Sequence, residues 1–261
     1  MYDKLAPVYD HFVNWNSRLA FEMPMILKLL TSLGTEPQDT KVIDTACGTG
    51  QHAIALAEVG FLSYAADLSP EMVSIAKMRA DESDQLVIFK TKGFGSTAKA
   101  FSKDLPFDAT LCLGNSLPHV TDKEALKVAL QDFHDLLRPG GLLLLQMRNF
   151  DRVMSHHLRW MDPQSEETDQ HEWLFLRFYD FESEKRIQFN VIAMERLKNR
   201  PWSLSLTSTA LTPILKDELV ELLHATGFDD IQTLGSLNGE PFDPETSSDL
   251  VIVACKTGET G

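Results

Sequence analysis

Two carboxylates and two glycines near the front of the chain are the residues best suited to chemistry. The segment Lys41-Val-Ile-Asp-Thr-Ala-Cys-Gly-Thr-Gly50 reads as a buried strand ending in Asp44, then a tight turn with Gly48 and Gly50, then a helix. A turn that bare lets a ligand come close to the backbone, and the helix start behind it offers unpaired N–H groups. Asp67 follows at the end of a second strand, about twenty residues on, where a carboxylate commonly grips ribose hydroxyls. Together these residues predict a nucleoside-cofactor site. Two readings of the turn stay open at this point. A dinucleotide fingerprint wants a third glycine for close helix packing and room for pyrophosphate. Here Gly50 is followed by Gln51-His-Ala53 instead, so the helix is expected to pack through Ala53.

The elements that must position these residues alternate. Apolar groups at helical spacing predict a helix over 18–33, ended near Gly34. Strands are expected at 40–45, 62–66, 86–91, 107–113 and 142–147. Helices are expected at 52–59, 69–80 and 123–137. Ser69 is a good N-cap and Pro70 suits the first helical position. Arg138-Pro-Gly-Gly141 is a helix stop. Residues 1–150 therefore read as an α/β unit, a parallel sheet with helices on both faces. The pattern then changes. Residues 172–181, 186–197 and 203–211 read as long strands without intervening helices, an antiparallel insert over 151–212. Residues 213–261 return with a helix at 216–226 and strands at 231–234 and 249–255 that can rejoin the main sheet. The tail after Lys256 is expected to fray.

Composition narrows the choice of partners. With 261 residues and 43% hydrophobic content, the chain can bury a full core as one large domain or a domain with a lobe. A formal charge of -14 repels phosphate backbones and anionic lipid, so no nucleic-acid or membrane partner is expected. The three cysteines, Cys47, Cys112 and Cys255, show no metal-ligand spacing, and no metal is expected. An odd, scattered set argues against a disulfide scaffold and for a reducing cytoplasm. Met1-Tyr-Asp-Lys-Leu lacks the pattern of a signal peptide. The apolar run at 141–145 is far below membrane-spanning length.

Four segments occur in order: Val42-Ile-Asp-Thr-Ala-Cys-Gly-Thr-Gly50, Ala65-Ala-Asp-Leu-Ser-Pro-Glu-Met72, Phe107-Asp-Ala-Thr-Leu-Cys-Leu-Gly-Asn115 and Leu137-Arg-Pro-Gly-Gly-Leu142. This series resembles the class I S-adenosylmethionine-dependent methyltransferases. The resemblance implies a Rossmann-like methyltransferase fold with a mostly parallel seven-stranded sheet and S-adenosylmethionine as cofactor. It also implies roles. Gly48 and Gly50 would admit the methionine part and sugar, with Leu113 and Ala46 alongside; many members carry glycine where this chain has Ala46. Asp44 would face the cofactor ammonium, or else cap the turn. Asp67 would accept from both ribose hydroxyls, or else cap the Ser69 helix. Leu68 and Met72 would flank the adenine, or be plain core. Many relatives place an acidic residue after the third strand; here the segment is Thr91-Lys-Gly-Phe-Gly95, and Phe94 is the candidate for stacking on adenine, with core as its alternative.

Two further segments, Cys112-Leu-Gly-Asn-Ser-Leu-Pro-His-Val120 and Gln146-Met-Arg-Asn-Phe-Asp151, resemble the glycine and sarcosine N-methyltransferase branch. That resemblance implies that Asn115 and Arg148 hold a substrate carboxylate, and arginine suits the task because its planar fork pairs with both oxygens. The alternatives are a loop-holding Asn115 and an Arg148 paired with a carboxylate of the insert. Arg18 is placed like an arginine that binds the cofactor carboxylate in that branch. The segment 2–10 resembles a lid, and Tyr9 would close over the cofactor. Trp15, Phe150, Trp160, Tyr179 and Phe181 are candidate aromatic walls.

The expected reaction is methyl transfer to a small molecule, at an amine nitrogen that can bear a carboxylate. An amine can lose its proton to solvent before binding and needs no dedicated base. An oxygen acceptor would profit from one, and His119 is the candidate. The alternatives are an O-methyltransferase, a nicotinamide-dependent oxidoreductase or a non-catalytic cofactor-binding module. The expected assembly is a monomer or a homodimer, the insert's edge strands being able to pair.

Overall fold

The computed structural model describes residue 6 and residues 9–258. Most of the expected lid, 2–8, lies outside the described residues, as does the last part of the tail. The chain opens with a short helix α1 (Tyr9–Phe12) and a long helix α2 (Trp15–Thr31), whose Asn14 cap accepts from Ser17 N at 3.0 Å. Strand β1 (Lys41–Asp44), helix α3 (Gln51–Glu58), strand β2 (Leu62–Asp67), helix α4 (Pro70–Glu82) and strand β3 (Val87–Thr91) follow. A short α5 (Thr97–Ala100), strand β4 (Phe107–Cys112), helix α6 (Lys123–Leu136) and strand β5 (Leu137–Arg148) complete the alternating part.

After a short α7 (Phe150–Ser155) come four antiparallel strands: β6 (Gln164–Glu167), β7 (His171–Ser183), β8 (Arg186–Leu197) and β9 (Ser203–Leu211). Helix α8 (Lys216–Ala225) leads back to β10 (Phe228–Leu234) and β11 (Asp249–Lys256). These last strands rejoin the first sheet, which has seven strands in the order β10-β11-β5-β4-β1-β2-β3. Only β11 runs against its neighbours, pairing antiparallel with both β10 and β5. The expected architecture is therefore the observed one.

Strand β5 shows why the sheet is buried on both sides. Leu143, Leu145 and Met147 enter one apolar cluster with Leu130 and Phe133 of α6 and Leu219 and Leu223 of α8. Leu142 and Leu144 enter the opposite cluster with Ile26 and Leu30 of α2. A continuous apolar run is what such a position demands. The start of β5 differs from expectation. Residues 137–141 belong to the strand rather than to a loop, and its pairing with β4 slips from Phe107–Leu137 to Ala109–Leu142. The Pro-Gly-Gly segment is thus a bulge. It is pinned where Arg138 Nε donates to Asp108 Oδ1 at 2.6 Å.

Candidate active site

The carboxyl ends of β1, β2 and β4 converge on a cleft of about 510 Å³, lined by Tyr9, Arg18, Asp44, Ala46, Gly48, Asp67, Met72 and Leu113 among others. Here the chain passes from strand to helix, so side chains and turn amides gather at one edge of the sheet. Asp67 is aimed by the backbone: its Oδ2 accepts from Gly48 N at 2.8 Å and its Oδ1 from Ser69 N at 2.9 Å. Ser69 in turn caps α4, accepting from Met72 N at 3.2 Å. Asp44 is buried and accepts from Ala46 N at 3.1 Å, so it does cap the turn. Burial pushes its carboxyl up to about 6, against the opposing pull of His52 and the Ala46 amide.

The two turn glycines have different tasks. Gly48 has a left-handed backbone (φ +53°) and a bare face; a Cβ there would meet only Tyr9 Cε1, at 3.9 Å. Gly50 does not line the cleft. Its φ is +82°, and a Cβ would fall 2.8 Å from Ala76 Cβ on α4 and 3.2 Å from Phe89 Cε1 on β3. Gly50 therefore serves close packing between elements, alongside Ala53, which is buried in one cluster with Ala76 and Phe89 as expected.

Two adenine expectations need correction. Phe94 packs edge-on against Phe133, with centroids 5.3 Å apart and planes at 88°, and belongs to the α6 side of the core. Its ring face is not in the cleft. Leu68 is 77% exposed beside Gly93 and is likewise absent from the cleft lining, whereas Met72 is buried within it.

The N-terminal helix closes the site. Tyr9 of α1 lies over Gly48, and burial raises its hydroxyl pKa. Next to it, Asp10 accepts from Trp15 Nε1 at 2.6 Å and Thr49 Oγ1 at 2.9 Å, and pairs with Arg79 of α4. On its other side α1 meets the insert. His11 stacks on Trp173 at 3.8 Å, and Phe12 touches Phe175 edge-on.

A second cleft, of about 1340 Å³, shares Tyr9, Arg18 and Gly114 with the first. It is walled by Asn115, Gln146, Arg148 and Asp249 from the main sheet and by Gln164, Arg177, Tyr179 and Phe189 from the insert. Asn115 adopts φ +68°, and its Oδ1 accepts from Arg148 N at 3.0 Å. It thus holds the loop and ties Arg148 to it. Arg148 Nη1 donates to Asp249 Oδ1 at 3.3 Å. The alternative expected for Arg148, an ion pair, is real, but its partner sits on β11 rather than on the insert. Burial raises the Asp249 pKa, opposed by the Arg148 charge.

Sequence reasoning missed a chain of hydrogen bonds that joins the clefts. Arg18 Nε donates to Glu22 Oε2 at 3.0 Å. Gln146 Nε2 reaches Glu22 Oε1 at 3.3 Å and Asp249 Oδ2 at 3.1 Å, and Asp249 holds Arg148. His52 Nε2 lies 2.6 Å from Glu22 Oε2. Burial raises the Glu22 pKa, but the His52 hydrogen bond and the Arg18 charge outweigh it and leave the carboxyl below its usual value. Only the Arg18–Glu22 pair had a local signal, the four-residue helical spacing. Arg177 was missed as well, although it shares one face of β7 with Trp173, Phe175 and Tyr179.

His119, the proposed base for oxygen chemistry, sits in the single turn Leu117–His119 and lines neither cleft. Burial lowers its pKa to about 4, so the ring is neutral at pH 7. Of the expected aromatic walls, Trp15 lines the first cleft and Tyr179 the second. Phe150 is buried core, and Trp160 is largely exposed.

Residues 42–141 match a family of methyltransferase domains. A glycine/sarcosine N-methyltransferase of Aphanothece halophytica is 29% identical over 235 residues, covering 87% of this chain and 79% of the relative. The chain thus carries a methyltransferase domain over 42–141 and is similar in sequence and fold to S-adenosylmethionine-dependent methyltransferases. A glycine/sarcosine N-methyltransferase of Parasynechococcus marenigrum is 34% identical over 148 residues, covering 56% of this chain and 50% of the relative. For several such relatives the methyltransferase spans about half of their length. An S-adenosylmethionine-dependent methyltransferase of Clostridium acetobutylicum shares the fold, with a TM-score of 0.78 at 15% identity over 98% of this chain and 99% of that one.

S-adenosylmethionine is the methyltransferase's cofactor, and the first cleft suits it. The bare face of Gly48 leaves room for the ligand, and the Asp44 and Asp67 carboxylates offer acceptors to its ammonium and hydroxyls. Among the described residues, no group of His, Cys, Asp and Glu can hold a metal, and no helix is long and apolar enough to cross a membrane.

Proposed function

We propose that this methyltransferase acts on the amine nitrogen of a small molecule that also carries a carboxylate. One observation carries the reading: Arg148 and Asn115 line a cleft that joins the cofactor cleft through Tyr9, Arg18 and Gly114. Both residues lie at the carboxyl ends of sheet strands, where ligands of open α/β sheets bind. The glycine/sarcosine N-methyltransferases among its relatives support nitrogen over oxygen. The position of His119 outside both clefts supports it too.

The bound cofactor supplies an electrophilic methyl on positively charged sulfur. The protein's part is placement and exclusion of water. Asp67 would accept from the ribose hydroxyls, kept aimed by the amides of Gly48 and Ser69. Asp44 would hold the ammonium of the methionine part, and Arg18 its carboxylate; both line the cleft. Met72, Leu113 and Ala46 form the cleft's apolar wall. Tyr9 covers the junction of the clefts and keeps water from the reacting line. Arg148 and Asn115 hold the acceptor so that its nitrogen lone pair points at the methyl. The ammonium form loses its proton to solvent before binding, the neutral amine attacks, and the positive charge passes from sulfur to the methylated nitrogen. In this reading residues 1–150 are the lid and cofactor-binding core, 151–212 the substrate-side insert, and 213–261 the completion of the sheet.

Calorimetric titration with S-adenosylhomocysteine and turnover on an amine and phenol panel test the reading. Binding of the product together with methylation of amino acids or their N-methyl derivatives is the expected result. Arg148→Ala is expected to raise the acceptor KM about 30-fold while product affinity stays within twofold, the loss of one charged hydrogen-bond pair. Methylation of phenols alone would refute the nitrogen assignment.

A further inference from the structure

The insert's wall of the second cleft carries polar atoms that no described residue satisfies. Arg177 Nε, Tyr179 Oη and Gln164 Oε1 are all buried without a hydrogen-bond partner among the described residues, and all three residues line this cleft. A buried polar atom without a partner destabilises the fold, so native proteins rarely keep several together without a ligand for them. The cleft's cations point the same way. Arg18 is paired with Glu22 and Arg148 with Asp249. Arg177 has no carboxylate within ion-pair distance among the described residues. Its guanidinium lies 4.8 Å above the Phe12 ring and reaches only the Asp162 carbonyl, at 3.5 Å. Burial, with the charge of nearby Arg148 added, lowers it to about 10, so it remains charged at pH 7. Burial likewise raises the Tyr179 hydroxyl to about 12, leaving it a protonated donor.

We infer that Arg177 and Tyr179 of the insert complete, with Arg148 of the main sheet, a two-sided seat for the carboxylate of the acceptor. This rests on the amine reading above and deepens it. One carboxylate between the two guanidiniums relieves their mutual repulsion and supplies the acceptors that Arg177 Nε and Tyr179 Oη lack. Arg177 and Tyr179 are then specificity-determining residues: they select amines with an acidic group over uncharged amines. Bound between the two sheets, the carboxylate also fixes the insert against the core.

The test uses the full chain saturated with S-adenosylhomocysteine, with acetate as probe. Ligand-observed NMR titration is expected to show acetate binding to the wild type. Arg177→Met is expected to weaken it about 30-fold and Tyr179→Phe about fivefold, as for a charged and a neutral hydrogen bond. Arg177→Lys is expected to recover part of the loss. S-adenosylhomocysteine affinity stays within twofold in each variant, which also reports correct folding. With glycine and sarcosine as acceptors, the same factors appear in KM while kcat changes less than threefold; with methylamine and glycinamide, KM is unmoved. Should the wild type methylate sarcosine while Arg177→Met leaves both KM and acetate affinity within twofold, the seat is refuted and the amine reading stands. Should S-adenosylhomocysteine bind but only uncharged or oxygen acceptors react, both fall.

Discussion

The two halves of the site are finished to different degrees. On the main sheet, the carboxylates of the cofactor cleft are tied down: Asp67 by two amides and Asp44 by the turn. On the insert, polar groups wait. Of the seven buried side-chain atoms without a partner among the described residues, four belong to Gln164, Trp173, Arg177 and Tyr179. A site whose ligand is constant can be preorganised by the protein's own hydrogen bonds. A site that reads the variable partner keeps donors for it and bears their desolvation cost when empty. The difference assigns constancy to the sheet edge and selectivity to the insert.

The sharpest way to break this contrast is on the sheet side. Asp67→Ala removes the acceptor proposed for the two ribose hydroxyls and releases the Gly48 amide. S-adenosylhomocysteine affinity is expected to fall about 1000-fold, at about 1.5–3 kcal/mol for each charged hydrogen bond, as measured by calorimetry; a loss under tenfold would mean the ribose is held elsewhere. Next, Gly50→Ala sets a methyl against Ala76 and Phe89 at a positive φ. It is expected to cost about 2 kcal/mol in urea unfolding, far more than Gly48→Ala, whose methyl meets only the Tyr9 ring.

A smaller effect comes from pH. Asp44 titrates near 6 in the folded protein, above its ordinary value. A raised carboxyl pKa stabilises the fold in acid, fully below about 4 and progressively less as pH rises through 6. Ammonium binding needs the ionised form, so cofactor affinity runs the other way. It is expected to fall about tenfold for each pH unit below 6, and Asp44→Asn to abolish that slope. Smallest of all, Phe94→Leu is expected to cost about 1 kcal/mol of stability while changing S-adenosylhomocysteine affinity less than twofold. A tenfold loss of affinity would return Phe94 to the adenine.

What could be read from the sequence follows the range of the interactions. The alternating strands and helices were legible because each carries its own signal: the apolar run of β5, the Ser69 cap, the Asp67 position one turn before α4. Helices α5 and α7 and the strand β6 were not, since four to six residues of mixed polarity hold no period. Asp44, Gly48 and Asp67 were legible because strand, turn and cap chemistry is local. The packing of Ala53 was legible and is observed, in one cluster with Ala76 and Phe89; the close packing of Gly50 was not, because its partner Ala76 lies on another helix. Gln146 meets Glu22 and Asp249 across 124 and 103 positions of sequence, and no spacing rule spans such gaps. Arg177 was half legible. A cation among three aromatics on one face of an amphipathic strand is out of place in a core, but its cavity exists only once two sheets meet.

The run from Arg18 through Glu22, Gln146 and Asp249 to Arg148 has one more implication. It works as a ruler. Its five side chains alternate in sign around a neutral amide, so the gap separating its two terminal guanidiniums is graduated by bond lengths rather than by loose packing. A ligand gripped at both ends would meet cations whose separation the protein has already set.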